Sequence, residues 1–220
     1  MKRATLTALA AMVTLGLGMP STSEACMHIV EFSKDDAVAA VAQADRMLSE
    51  GRATRAYQAA RRARRRLERH MRANGRDAAT EAVVARARRI TALAAVRLDG
   101  YTPVSARTAR RHVLRGRAER SLRWARERLR TRAEARPEDL RAQMHYAEAL
   151  ARLPDGRAEA AQILGRLAER DLMPDAHGYA ALLRVSAPGS QSWNRALTRC
   201  QQMAPDDASR ICPSASAPHS

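Results

Sequence analysis

The residues best suited to chemistry are a run of basic side chains, Arg61 to Arg66 with Arg69 just beyond. If this stretch is helical, Arg62, Arg65, Arg66 and Arg69 gather on one side at spacings of three and four, opposite Tyr57, Leu67 and Met71. Guanidiniums so placed pair bidentately with phosphate or carboxylate, which makes them a candidate anion site. The competing expectation is a solvated helix face that binds nothing. Trp124 is the second candidate. Two positions from Leu122 on a helix, it points about 200° away from that residue. Its neighbours are then Arg120, Arg123 and Arg128, and its ring could stack on a ligand. The alternative is that it packs beneath residues 101–116 or on a neighbouring helix pair. Trp193, in phase with Ala196, Leu197 and Cys200, reads as core.

Catalysis has no signature here. The chain holds no HExxH, no GxSxG, no phosphate-binding P-loop and no dinucleotide glycine pattern. His28, His70, His112, His145, His177 and His219 are scattered, and none stands three or four residues from another or from a cysteine. A metal site would need such spacing on one helix, so no metal and no cofactor are expected. The expected protein is not an enzyme.

Of 39 basic residues only Lys2 and Lys34 are lysine, and the formal net charge is +16. Codon bias toward arginine and a functional anion surface are both consistent with this. Either way the surface attracts anions, with strong salt dependence. Aromatics make up only 3% of the chain while alanine and leucine dominate its apolar content, so an all-α fold of closely approaching helices is expected.

Residues 1–25 read as a secretory signal: Lys2 and Arg3, then the uncharged run from Ala4 to Met19, then Ser23-Glu24-Ala25. Cleavage there leaves Cys26 first. Lipidation of Cys26 is the alternative, although Ser23 and Glu24 stand where lipoprotein signals carry leucine and a small residue. Membrane attachment is expected only in that case. In an oxidising compartment Cys200 and Cys212 form a candidate disulfide that ties the tail to the last helix.

The elements that must position these residues are amphipathic helices. Apolar stripes predict helices over about 34–50, 52–72, 78–98, 117–136, 138–151, 157–172, 176–185 and 192–203. The first stripe is Val38, Val41, Ala42, Met47 and Leu48. Residues 26–34 form a lead, 101–116 an insertion in which Ser105 to Leu114 could form a short, weakly amphipathic helix ending at Gly116, and 208–220 a flexible tail. Pro137-Glu138-Asp139, Pro174-Asp175 and Pro205-Asp206-Asp207 punctuate the chain at intervals in the thirties, the signature of a helical repeat. Asp155, in Leu153-Pro154-Asp155-Gly156, is an expected N-cap.

Ala125 and Ala161, about a dozen residues ahead of Pro137 and Pro174, and Leu197 ahead of Pro205 occupy small and large packing positions. Gly51, Ala56 and Ala63 keep a related spacing. Over residues 35–73 and 117–207 the chain thereby resembles a tetratricopeptide repeat array. Alanine or leucine fills most of that family's aromatic positions. The resemblance implies about four stacked antiparallel helix pairs over 35–207, an α-solenoid scaffold that binds a protein or peptide. The expected function is protein interaction or scaffolding in a bacterial envelope. The alternative is a basic protein whose arginine faces hold nucleic acid or anionic lipid. Export makes intracellular nucleic acid an unexpected partner.

Overall fold

The computed structural model describes residues 34–103 and 111–212, without the side chains of 111–114. All of them belong to one compact unit, Phe32–Ser220. The expected signal segment, Cys26 and the lead to residue 33 lie outside the described residues, as do 104–110 of the expected insertion and 213–220 of the expected tail.

The described residues form α1 (Lys34–Ser49), α2 (Ala53–Asn74), α3 (Ala78–Arg97), α4 (Arg111–Ala135), α5 (Leu140–Leu150), α6 (Arg157–Glu169), α7 (Ala176–Val185), α8 (Gln191–Met203) and the single turn α9 (Ala208–Ile211). No strand occurs among them. From α1 to α8 each helix packs on the next in sequence, and α1 with α3, α3 with α5 and α5 with α7 also touch. The odd-numbered helices therefore form an inner rank, and each even-numbered helix lies against the two odd helices that flank it.

Acidic residues in the punctuation act as caps. The Asp139 carboxylate accepts from the Ala142 N–H at 3.0 Å, and Asp175 accepts from the His177 N–H at 3.0 Å, each satisfying an orphan donor of the first turn. Asp77 does the same for Thr80 at 2.8 Å. Asp155 does not cap α6. It sits in a 3-10 turn, Pro154–Gly156, and accepts instead from Arg126 Nη1 of α4 at 2.8 Å.

Alanine sets the helix spacing. Ala56, Ala60 and Ala63 of α2 are sealed, with Ala53 and Leu67, along one stripe. That close contact selects small residues on α1 as well. The buried face of α1 is Ala37, Val41, Ala44 and Leu48, while Val38 of the expected stripe is exposed. α3 is the central helix. From Thr91 to Val96 every residue is buried, because α1, α2, α4 and α5 all pack on it.

Two expected boundaries move. α4 begins at Arg111 and runs through Gly116, so 111–116 belong to a helix. A single glycine inside a helix costs only about 1 kcal/mol relative to alanine, and the rest of the stripe carries it. At the other end, 208–212 are not loose. The Cys200–Cys212 disulfide, with 6.0 Å between Cα atoms, pins α9 to α8. Gly51, at φ +73° in the turn between α1 and α2, has Ile211 and Arg210 of α9 beside it, and a Cβ there would lie 3.3 Å from Ile211 Cγ1. The turn between α1 and α2 thus meets α9.

Candidate functional site

Two regions bring chemistry-bearing side chains together. The first lies where α2 passes α4. On α2, Tyr57 is half-buried against the core and shares a shallow depression with Arg61, Arg62, Arg65 and Pro103. It is therefore beside the arginines and not opposite them. The buried stripe runs through Ala60 and Ala63, and Tyr57 sits at its edge. Arg62, Arg65 and Arg69 are exposed, and Arg66 is half-buried. Arg69 Nε donates to the Arg65 carbonyl at 3.4 Å.

Tyr57 and Arg61 also line an adjoining depression of about 470 Å³. Arg64 of α2, Arg117 and Arg120 of α4 and the indole of Trp124 complete its wall, with Thr91, Thr102 and Ser121. Trp124 is 37% exposed, whereas Trp193 is buried in the core of the last pairs. Among the described residues no carboxylate lines the depression. The nearest restraint on Arg64 is Glu68, one turn along α2, with Nε 3.7 Å from Oε1. The fold thus brings Arg62 and Arg65 beside Trp124 in one basic, aromatic strip, through Tyr57 and Arg61 common to both depressions and with Arg64 and Arg117 added, while Arg66 and Arg69 line neither depression.

The second region is a cavity of about 140 Å³ at the end of the inner rank. Arg97 ends α3, Arg152 follows α5, Arg184 stands near the end of α7 and Arg210 comes from α9. Glu148, Asp99 and His177 line it too, so four guanidiniums face two carboxylates. Arg97 of α3 is held from two other helices, α1 and α5. Its Nε and Nη2 donate to Glu148 at 2.8 and 3.1 Å, and its Nη1 donates to the Leu48 carbonyl at 2.8 Å. Arg152 pairs with Asp99. Burial, with Arg184 and Arg97 close by, lowers the Arg152 guanidinium to about 9. Asp99 is more than half exposed, so its charge does little against that burial.

Arg184 is also lowered by burial, against which Glu148 acts. No carboxylate among the described residues lies within ion-pair distance of its guanidinium. His177 is 8% exposed, and its Nε2 has no hydrogen-bond partner among the described residues. Burial first, then Arg97, lowers its pKa, while Glu148, Asp175 and the Ser49 carbonyl act the other way.

This cavity was missed in the sequence, where Arg97, Arg152 and Arg184 are three among many arginines. A signal existed: each closes an odd-numbered helix, the same phase of three successive pairs. Cations there also suit the negative end of a helix dipole. Among the described residues no three His, Cys, Asp or Glu side chains group to hold a metal ion, and no helix is long and apolar enough to cross a membrane. A third depression, between α6 and α8, mixes Arg195 and Arg199 with Glu169 and Asp171 and carries no net excess of either sign. No protein-family model, curated protein or solved structure matches this chain.

Proposed function

We propose that the protein is an exported, non-catalytic helical-repeat module that binds a partner protein by an acidic segment laid along the α2–α4 strip. The observation that carries this is the composition of the 470 Å³ depression: Tyr57 and Trp124 among Arg61, Arg64, Arg117 and Arg120, with no carboxylate in the wall among the described residues. Tyrosine, tryptophan and arginine are the side chains on which protein interfaces concentrate their binding energy. The rings supply area at low entropic cost, and the guanidiniums select carboxylates. The stacking of consecutive helix pairs supports a tetratricopeptide-like solenoid as the scaffold. Export is supported by the Cys200–Cys212 disulfide, a bond that persists in oxidising compartments, and by the signal-like composition of 1–25.

Trp124 is itself the reporter, because Trp193 is buried. The test titrates the protein with peptides rich in glutamate, aspartate and leucine, with lysine-substituted copies, with a single-stranded oligonucleotide and with anionic vesicles. The acidic peptides should change Trp124 fluorescence saturably. Arg61→Ala and Arg120→Ala should each weaken them by about tenfold. A response confined to the oligonucleotide or the vesicles, falling steeply with salt, would replace the protein partner with nucleic acid or lipid.

A further inference from the structure

Resting on the acidic-segment reading of the α2–α4 strip, we infer the motif that the segment carries: an aromatic side chain and a carboxylate two residues apart. The ring enters the wider depression between α2 and α4, and the carboxylate reaches the smaller one on the other side of a ridge. That ridge is Tyr57 and Arg61, the two residues the depressions share.

The two depressions differ in what they can hold. The wider, of about 470 Å³, has a ring from each helix, Tyr57 of α2 and Trp124 of α4, among Arg61, Arg64, Arg117 and Arg120. Guanidinium planes stack on aromatic faces, and rings pack on rings in offset or edge-to-face contact. A phenylalanine or tyrosine gains from both, whereas a leucine gains only from leaving water. The smaller, of about 160 Å³, has Tyr57 as its single ring and gathers Arg61, Arg62 and Arg65 beside it.

Charge assigns the second position. Arg64 has Glu68 nearby, but no carboxylate among the described residues comes within ion-pair reach of Arg61, Arg62 or Arg65. Arg62 and Arg65 are exposed and Arg61 is half-buried, so their donors are open to a ligand. A carboxylate held by two of these guanidiniums makes charge-assisted bonds that a neutral side chain cannot replace. The depression between α6 and α8 offers no such selection, because Glu169 and Asp171 stand in its wall with Arg195 and Arg199.

Helix geometry sets the distance between the two positions. At 100° per residue, the α2 side chains of the wider depression (57, 61 and 64) centre about 65° around the helix from those of the smaller (57, 58, 61, 62 and 65). On a helix about 5 to 6 Å in radius that turn is an arc of about 6 Å. An extended segment advances about 3.3 Å per residue and returns its side chains to the same face every second residue. Two residues therefore match both the arc and the face. Adjacent residues point to opposite faces, and residues four apart share a face but lie about 13 Å from each other.

The test measures fluorescence anisotropy of labelled peptides with the whole chain. Every peptide ends in the same aspartate run behind a glycine spacer, and ahead of it carries one phenylalanine and one glutamate that are adjacent, two apart or four apart. The peptide with the pair two apart should bind about tenfold more tightly than either other arrangement. Leucine for its phenylalanine should lose about fivefold, and glutamine for its glutamate about tenfold. Trp124→Ala should erase the advantage of the ring and keep that of the glutamate. Arg62→Gln combined with Arg65→Gln should do the reverse, and Arg195→Gln should change neither.

Equal binding of the three arrangements by the unaltered protein would overturn the inference, as would leucine serving as well as phenylalanine. In either case, tighter binding than a copy with serine in place of the aspartates would leave the acidic-segment reading standing. Failure of every acidic peptide to bind would overturn both. These comparisons vary the peptide and not the protein, so a variant that fails to fold leaves the result readable.

Discussion

Arg97 and Glu148 belong to different helix pairs yet meet in a two-pronged ion pair, 2.8 and 3.1 Å, with both side chains almost sealed from water. The third arm of the same guanidinium takes the Leu48 carbonyl of α1. One side chain thereby ties α1, α3 and α5 of the inner rank. Removing one partner leaves a buried charge alone, so Arg97→Met or Glu148→Leu should each cost about 3–5 kcal/mol. The double variant should cost much less than the sum. Urea unfolding of the four proteins checks this, and additive losses would show that the pair does not act as a unit.

Two buried rings set the acid side of stability. His145 is 3% exposed, and burial, then Arg97, Arg89, Arg141 and Arg132, hold its pKa well below the usual 6.5; His177 is lowered for similar reasons. Below that ordinary value the unfolded chain takes up protons that the folded rings refuse. Stability should thus fall as pH drops from 6.5 toward the folded values, by at most about 1.4 kcal/mol per pH unit for each ring. His145→Leu should flatten the fall. Asp77 acts in a different window: the Thr80 hydroxyl and N–H, with Lys34, lower it to about 2, so its contribution is present above 3.8 and lost between there and 2. Unfolding midpoints from about pH 7.5 down to 4.5 test the histidine claim, and parallel curves for the variant would refute it.

The helices were legible because their stripes are apolar on one side and arginine-rich on the other, a contrast that 3.6-residue periodicity displays without any tertiary knowledge. Asp139 and Asp175 were legible only as acidic punctuation suited to a helix start; their capping bonds were not, and the one expected cap, Asp155, pairs with Arg126 instead. Wherever contact distance decides, the sequence misleads. In α1 the larger Val38 was expected inside, but alanine-mediated contact with α2 puts Ala37 and Ala44 there. The strip was half legible, since Trp124 and the α2 arginines could be singled out but not their adjacency across two helices. The cavity went unread: Arg97, Arg152 and Arg184 share a phase at the ends of odd-numbered helices, but they and His177 come from three separate helix pairs, and only the stacking of the pairs makes them neighbours.

The disulfide should stabilise locally. Cys200 and Cys212 are 12 residues apart, and closing a loop of that size is worth about 3 kcal/mol in the chain-entropy account. Cys212→Ser should lower stability by that order, and hydrogen exchange should quicken in Ala208–Ile211 while α3 keeps its protection. Equal loss across the whole chain would mean that α9 is a keystone of the fold and not a local closure. Because Ile211 lies against Gly51, faster exchange at the turn after α1 is the secondary sign to look for.

Two glycines separate backbone need from mere tolerance. Gly100 has φ +77°, a conformation that side chains disfavour, and a Cβ there would collide with the Ala118 carbonyl oxygen of α4. The obstacle is backbone, so it cannot rotate aside. Gly165 sits inside α6 at ordinary helical φ, with nothing within 4 Å of where its Cβ would be. Gly165→Ala should therefore stabilise by about 0.5–1 kcal/mol, through the smaller conformational freedom of the unfolded chain. Gly100→Ala should destabilise by more than that gain, because strain and displacement of α4 add together. Thermal unfolding of the two variants reads the contrast directly. A stable Gly100→Ala protein would mean that the turn between α3 and α4 can be rebuilt without disturbing the contact that brings Trp124 alongside Tyr57.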